Sequence, residues 1–133
     1  RLLRPRGNRP GNVSGRLRTA RHRHMKQWDI LLFPFPEEQP HPVVIVSPDD
    51  RCLNVDLKYV NGLICTSVRL NRPAKLNEVL LDEADGLDWQ TAVRCDFLHA
   101  LPKAGFLSQR GRVSEARPAQ IMRHVARCLR FRF

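Results

Sequence analysis

The apolar positions of the chain fall into short β-branched and aromatic runs separated by turn residues, with one change of period near the C-terminus. The run Gln27-Trp28-Asp29-Ile30-Leu31-Leu32-Phe33-Pro34-Phe35, punctuated by Pro34 and Pro36, predicts a strand running into a turn. Pro42-Val43-Val44-Ile45-Val46-Ser47 is continuously apolar, β-branched and too short for a helix, which predicts a central strand buried on both faces and ended by Pro48-Asp49-Asp50. A third strand is expected over residues 59–68, a weaker one over 77–81, a turn at Asp85-Gly86-Leu87-Asp88 and another strand over 91–98. Residues 101–106 add a short edge segment. From Ser114 to Arg130 the spacing becomes helical, with Ile121, Val125, Cys128 and Leu129 on one stripe. Ser114 is the expected N-cap, and Pro118 fits only in the first turn. Five or six short strands and one amphipathic helix predict a mainly β fold, a small curled barrel with the helix closing one side.

Length and charge refine this picture. With 133 residues the chain is the size of one domain. Its net charge of +10 is unevenly placed: residues 1–24 hold eight arginines and no acid, whereas from Met25 onward 15 Lys and Arg face 13 Asp and Glu. The remaining +2 is that of an ordinary domain with no global basic field. The Arg-, Gly- and Pro-rich residues 1–24 lack the apolar surface that would offset ordering them, so they are expected to be disordered, and to be a non-native or upstream extension rather than a transit peptide or nucleic-acid arm. Residues 25–133 then form the domain. Cys52, Cys65, Cys95 and Cys128 form no CxxC pair, which excludes a zinc ribbon or dithiol redox motif and predicts reduced, structural thiols. No run is long enough to cross a bilayer and no secretory signal is visible, so a cytoplasmic location is expected.

Residues two apart on a strand share a face, so Arg94 and Asp96 project together while Val93 and Cys95 point to the core. Taken alone, such a pair reads as a surface ion pair of little energetic weight. Its surroundings change that. The acidic first strand Trp28-Asp29-Ile30, Pro42-Val43-Val44-Ile45-Val46-Ser47-Pro48, Cys65-Thr66-Ser67, the tetrapeptide Val93-Arg94-Cys95-Asp96 and the Gly111-Arg112-Val113-Ser114 lead into the last helix resemble, in order, the motifs of the MazF/PemK/Kid toxin ribonucleases of bacterial toxin–antitoxin systems. The resemblance covers residues 25–133 and leaves the Arg-rich segment outside.

What the resemblance implies is an SH3-like barrel that forms a homodimer, binds single-stranded RNA and cuts it without metal or other cofactor. An acidic, partly disordered antitoxin segment would restrain it. The reaction needs a base for a ribose 2′-hydroxyl, a cation for charge gathering on phosphorus and a donor for the departing 5′-oxygen. The resemblance assigns Asp96 as the base and Arg94 as the cation, whose pKa suits charge stabilisation better than proton donation. Most relatives place an arginine at His41, so His41 is either an altered proton donor or the mark of a weakened site. Thr66 and Ser67 are candidate substrate contacts, with Asp29, Gln39 and His99 as further ones. Glu37 and Glu38 in the short Pro36–Pro40 loop would repel phosphate if turned inward. Trp28, Phe33 and Phe35 are expected in the core, and Arg117, Arg123, Arg127, Arg130 and His124 on the solvated face of the helix. Two other readings stay open: an RNA- or protein-binding module without cleavage, and a topoisomerase inhibitor like the CcdB relatives of this fold.

Overall fold

The structure, a computed structural model, describes residues 24–132. Seven antiparallel strands form one curled sheet: β1 (Asp29–Phe33), β2 (His41–Ile45), β3 (Tyr59–Ser67), β4 (Glu78–Leu81), β5 (Thr91–Arg94), β6 (His99–Pro102) and β7 (Gln109–Arg112). A short helix α1 (Asp49–Leu53) follows β2, and helix α2 (Arg117–Cys128) ends the fold. The strand order is β4-β5-β3-β2-β1-β7, with β6 paired to β3 off this path.

The curl follows from the length of β3. Its first half, Tyr59–Gly62, pairs with β6, and its last residues, Cys65–Ser67, pair with β5, while Gly62–Ile64 pair with β2 between them. One strand thus belongs to two ladders and must bend across the middle. Gly62 sits at that bend, where any Cβ would collide with Val43 Cγ1, so only glycine lets β2 and β3 approach there.

The continuous apolarity of β2 is explained by a core on each side of it. Val44 joins Ile30, Leu63, Cys65, Val79, Leu81, Val93 and Cys95 under α2, which contributes Ile121 and Val125. Val43 and Ile45 pack on the other face with Met25, Leu31, Phe33, Cys52, Val60, Leu101 and Phe106. Phe33 lies with its ring 4.9 Å from that of Phe35 and 5.0 Å from that of Phe106, and Trp28 packs against the first cluster, as expected for core aromatics. The four cysteines are free thiols. Burial pushes the Cys95 thiol up to about 12 and Cys52 up to about 11, which suits a packing role rather than a reactive one.

Several expectations need correction. The strand predicted over 91–98 ends at Arg94: after Cys95 N–H bonds to the Asn77 carbonyl at 2.9 Å, β4 offers no further partner. The edge segment expected over residues 101–106 is instead β6, which starts earlier at His99 and gives way to a turn of 3-10 helix over Lys103–Gly105, and the seventh strand, β7, Gln-Arg-Gly-Arg, has no apolar residue to announce it. Pro48-Asp49-Asp50 ends a strand but also opens α1.

Helix α2 starts at Arg117 with Ala116 before it and no side-chain cap, so Ser114 is not the N-cap. The Ser114 N–H instead bonds to the Asp85 carboxylate at 2.7 Å. Arg117 leaves the expected solvated face to pair with buried Asp85 and with Asp82 at 3.2 Å, tying the helix start to the β4–β5 connection. Its guanidinium holds Asp82 below the usual carboxylate range. Among the described residues no helix is long and apolar enough to cross a membrane. The extension expected over residues 1–24 lies, apart from His24, outside the described residues.

Candidate active site

The register of three neighbouring strands collects the expected polar side chains on one sheet face. Thr66 of β3 opposes Ala92 of β5, so Arg94 is its diagonal neighbour, about 7–8 Å away. On the other side Val43 opposes Ile64, and stepping two residues outward along each strand brings His41 level with Thr66. His41, Thr66 and Arg94 thus lie across adjacent strands, and directly opposed residues project to the same side.

A cleft of about 470 Å³ opens at the His41–Thr66 end, lined by Gln39, His41, Thr66, Ser67, Trp89 and Arg110, with Arg69 and Asp88 at its sides. Four of the eight expected site residues, Gln39, His41, Thr66 and Ser67, therefore meet in one cavity. Arg94 lies on the same sheet face, and neither it nor Asp96 lines the cleft itself. They are joined to each other: Arg94 Nε–H donates to Asp96 Oδ1 at 3.1 Å and Nη2–H to Oδ2 at 3.0 Å, a two-pronged contact. Asp96 stands just beyond the end of β5, so the pair is made by this bond as well as by strand alternation. The Arg94 guanidinium, with help from the Asn77 side chain, holds the Asp96 carboxyl below the usual range.

His41 does not stand alone. Its Nε2 lies 3.0 Å from Glu38 Oε1, and its ring lies 5.8 Å from that of Phe35. Glu38, one of the two loop acids, is thus occupied in orienting the imidazole. Glu37 stays exposed, its backbone in the left-handed region at φ 60°.

Asp29 and His99 are not brought to the cleft. Asp29 is buried, accepting from Arg112 Nη1 at 2.6 Å and from the Lys26 N–H at 2.9 Å, which latches β1 to β7 and holds the turn before it. His99 faces Phe97 with ring centroids 4.7 Å apart; its Nδ1 is buried, and among the described residues it has no hydrogen-bond partner. No group of three or more His, Cys, Asp or Glu that could hold a metal ion occurs among the described residues.

Residues 26–130 match the model of a family described as "PemK-like, MazF-like toxin of type II toxin-antitoxin system". The chain belongs to that toxin family. The curled sheet with its C-terminal helix is the MazF fold: it resembles the Mycobacterium tuberculosis toxin MazF-mt6 with a TM-score of 0.67 at 17% identity, over 79% of this chain and 99% of that one. A mycobacterial endoribonuclease in complex with its cognate antitoxin gives 0.67 at 19% identity, over 82% and 98% of the two chains. MazE–MazF from Deinococcus radiodurans gives 0.60 at 17% identity, over 79% and 94%. Among curated proteins none matches.

Set on the MazF fold, the cleft includes residues that the sequence pattern did not single out. Arg69 follows the Thr66-Ser67 pair at the start of the β3–β4 loop and lies with its guanidinium carbon 4.9 Å from the Trp89 ring centre. Arg110 pairs with Asp88 at 3.2 Å. The one available signal was Trp89 itself, an aromatic placed outside any apolar run between a turn and a strand.

Proposed function

We propose that this toxin is an endoribonuclease that cuts single-stranded RNA by attack of a ribose 2′-hydroxyl on the adjoining phosphate. The observation that carries the reading is the bidentate Arg94–Asp96 pair, with Arg94 on the same sheet face as His41 and Thr66. Asp96, kept anionic by Arg94, takes the 2′-hydroxyl proton as the 2′-oxygen bonds to phosphorus. Arg94 uses two of its five N–H groups on Asp96, and the others serve the charge developing on the phosphoryl oxygens. The bond from phosphorus to the 5′-oxygen then breaks, and His41 supplies that oxygen's proton, leaving a 2′,3′-cyclic phosphate and a 5′-hydroxyl. His41 and Arg94 sit two strands apart and are offset by two residues along them, roughly 12 Å between backbones, a span their side chains reach across toward one phosphate. Thr66, Ser67 and Gln39 contact the strand being cut.

Three further parts belong to the same reading. The solved relatives in complex with antitoxin support an antitoxin as the partner, and the reading makes its bound segment acidic. The chain acts as a homodimer, for which exposed Leu98, Met122 and Phe131 offer an apolar face. Its setting is the cytoplasm, where mRNA is available.

A second reading, RNA binding without cleavage, is favoured by one feature: Arg94 and Asp96 neutralise each other at the margin of the cleft. End-labelled single-stranded RNA incubated with the full chain in excess chelator separates the two. Cleavage is expected, and Asp96→Asn and Arg94→Ala should each lower it at least a hundredfold, within the range for lost acid–base and charge-stabilising groups. Bound but intact RNA would support the second reading. RNA neither bound nor cut would remove both.

A further inference from the structure

Trp89 is the least explained side chain in the cleft. It is 43% exposed and belongs to neither core cluster, in contrast to Trp28, which packs against the first. More than half of its surface is covered, but the remaining exposed part of a large aromatic ring opens into the cleft, where a ligand could lie against it. Its position is nonetheless defined. The indole follows Asp88, which is held by Arg110, and Arg69 lies against its ring. The adjoining Gln90 binds the start of the β3–β4 loop, accepting from the Val68 N–H at 2.7 Å through its backbone and from the Arg72 N–H at 3.2 Å through its side chain. That loop is closed at its far end by Arg72, which grips buried Glu78 at 2.7 and 3.0 Å. The aromatic and the cation are therefore set in place before any ligand arrives, which lowers the ordering cost of binding.

The chemistry around the indole narrows the ligand class. Asp88, the acid that lines the cleft, is paired with Arg110. Arg69 keeps its charge at the rim. Exposed Thr66 and Ser67 add hydroxyls that both donate and accept. A flat aromatic surface, a neighbouring guanidinium and hydroxyl groups in one open cleft suit a flat heteroaromatic ring carrying hydrogen-bonding edges and a nearby anion, which describes an unpaired nucleotide.

We propose that Trp89 and Arg69 form a stacking site for one unpaired nucleobase of the RNA, fixing the strand relative to Arg94 and Asp96 and contributing to the choice of sequence cut. This rests on the reading of the cleft as an RNA site and adds to it a specificity-determining residue. The site favours single strands, because a paired base has both faces stacked and cannot lie on the indole.

The test uses the full chain and an uncleavable oligonucleotide, RNA carrying 2′-deoxy sugars. Binding should quench Trp89 emission, and the quench should vanish in Trp89→Phe, where only Trp28 remains, and on annealing the complementary strand. Trp89→Ala should weaken binding roughly five- to 150-fold, the range for losing one stacked base, while Trp89→Phe keeps part of it. A scan of single abasic sites should find one position at which removing the base and mutating Trp89 to Ala are not additive. Affinity and cleavage pattern unchanged in Trp89→Ala, alongside active wild-type enzyme, would overturn the stacking site and leave the nuclease reading standing. Wild type that neither binds nor cuts RNA would overturn both. Trp89 is exposed, and circular dichroism of each variant separates a lost site from a lost fold.

Discussion

In the proposed reaction Asp96 serves two ends that differ in their demands. As an ion-pair partner it is held in the charged form by Arg94, and as a base it must give up that contact in part to accept a proton from the ribose. The direction of its shift makes the pH dependence specific. A folded-state value below the ordinary carboxylate, near 3.9, keeps the base ionised to lower pH, so the acidic limb of the rate profile should have its midpoint below that of a free aspartate. Replacing Arg94 with Gln should move this midpoint upward in whatever activity remains; an unmoved midpoint would mean that another group sets the limb. The same sign governs stability. The pair's contribution is present above the unfolded carboxylate value and fades as pH falls through the lowered folded one. With side-chain exposures of 47% for Arg94 and 33% for Asp96, that contribution is below about 1 kcal/mol. Loss of activity in Asp96→Asn therefore reports chemistry and not unfolding. The residues of the site were unevenly legible: Thr66, Ser67, Arg94 and Asp96 stand in motif blocks, whereas Arg69 and Trp89 acquire meaning only when the β3–β4 loop brings them together.

At the scale of elements, strands with apolar runs were readable because burial dictates their residue types, and β2 is the clearest case, with a core on either face. β7 was not readable, since Gln109–Arg112 is held by ladder bonds to β1 and by the Arg112–Asp29 pair without any buried side chain. Asp29, expected to contact substrate, serves that latch. The start of α2 was misplaced for a related reason. Its anchor is the contact of Arg117 and the Ser114 N–H with Asp85, some thirty residues away in sequence, which no local cap signal reveals. Because Asp85 is buried, Arg117→Ala leaves a carboxylate short of its counter-charge and should cost about 3 kcal/mol. That corresponds to a fall in Tm of roughly 10 °C for a domain of this size. Differential scanning calorimetry measures it, and a fall below about 2 °C would show that the clamp adds little.

For the whole molecule, the distribution of charge limits how RNA is held under the proposed function. The domain from Met25 onward has a net charge of only +2, and the eight arginines of residues 1–24 supply the rest of the +10. On that proposal, affinity for RNA within the domain depends on a few local cations, Arg69 chief among them since Arg94 is paired with Asp96, together with stacking, and not on a broad basic field. The curled sheet makes this workable by placing His41 of β2, Thr66 of β3 and Arg94 of β5 on one face, so that the proposed proton donor, hydroxyl and cation lie across three neighbouring strands. The most direct measurement of the central claim compares two labelled single-stranded oligonucleotides in chelator, one all RNA and one with a single 2′-deoxy sugar at the position of the cut. The account predicts that the first yields fragments ending in 2′,3′-cyclic phosphate and that the second stays intact at that position. Equal cutting of both, or no cutting of either, would contradict it.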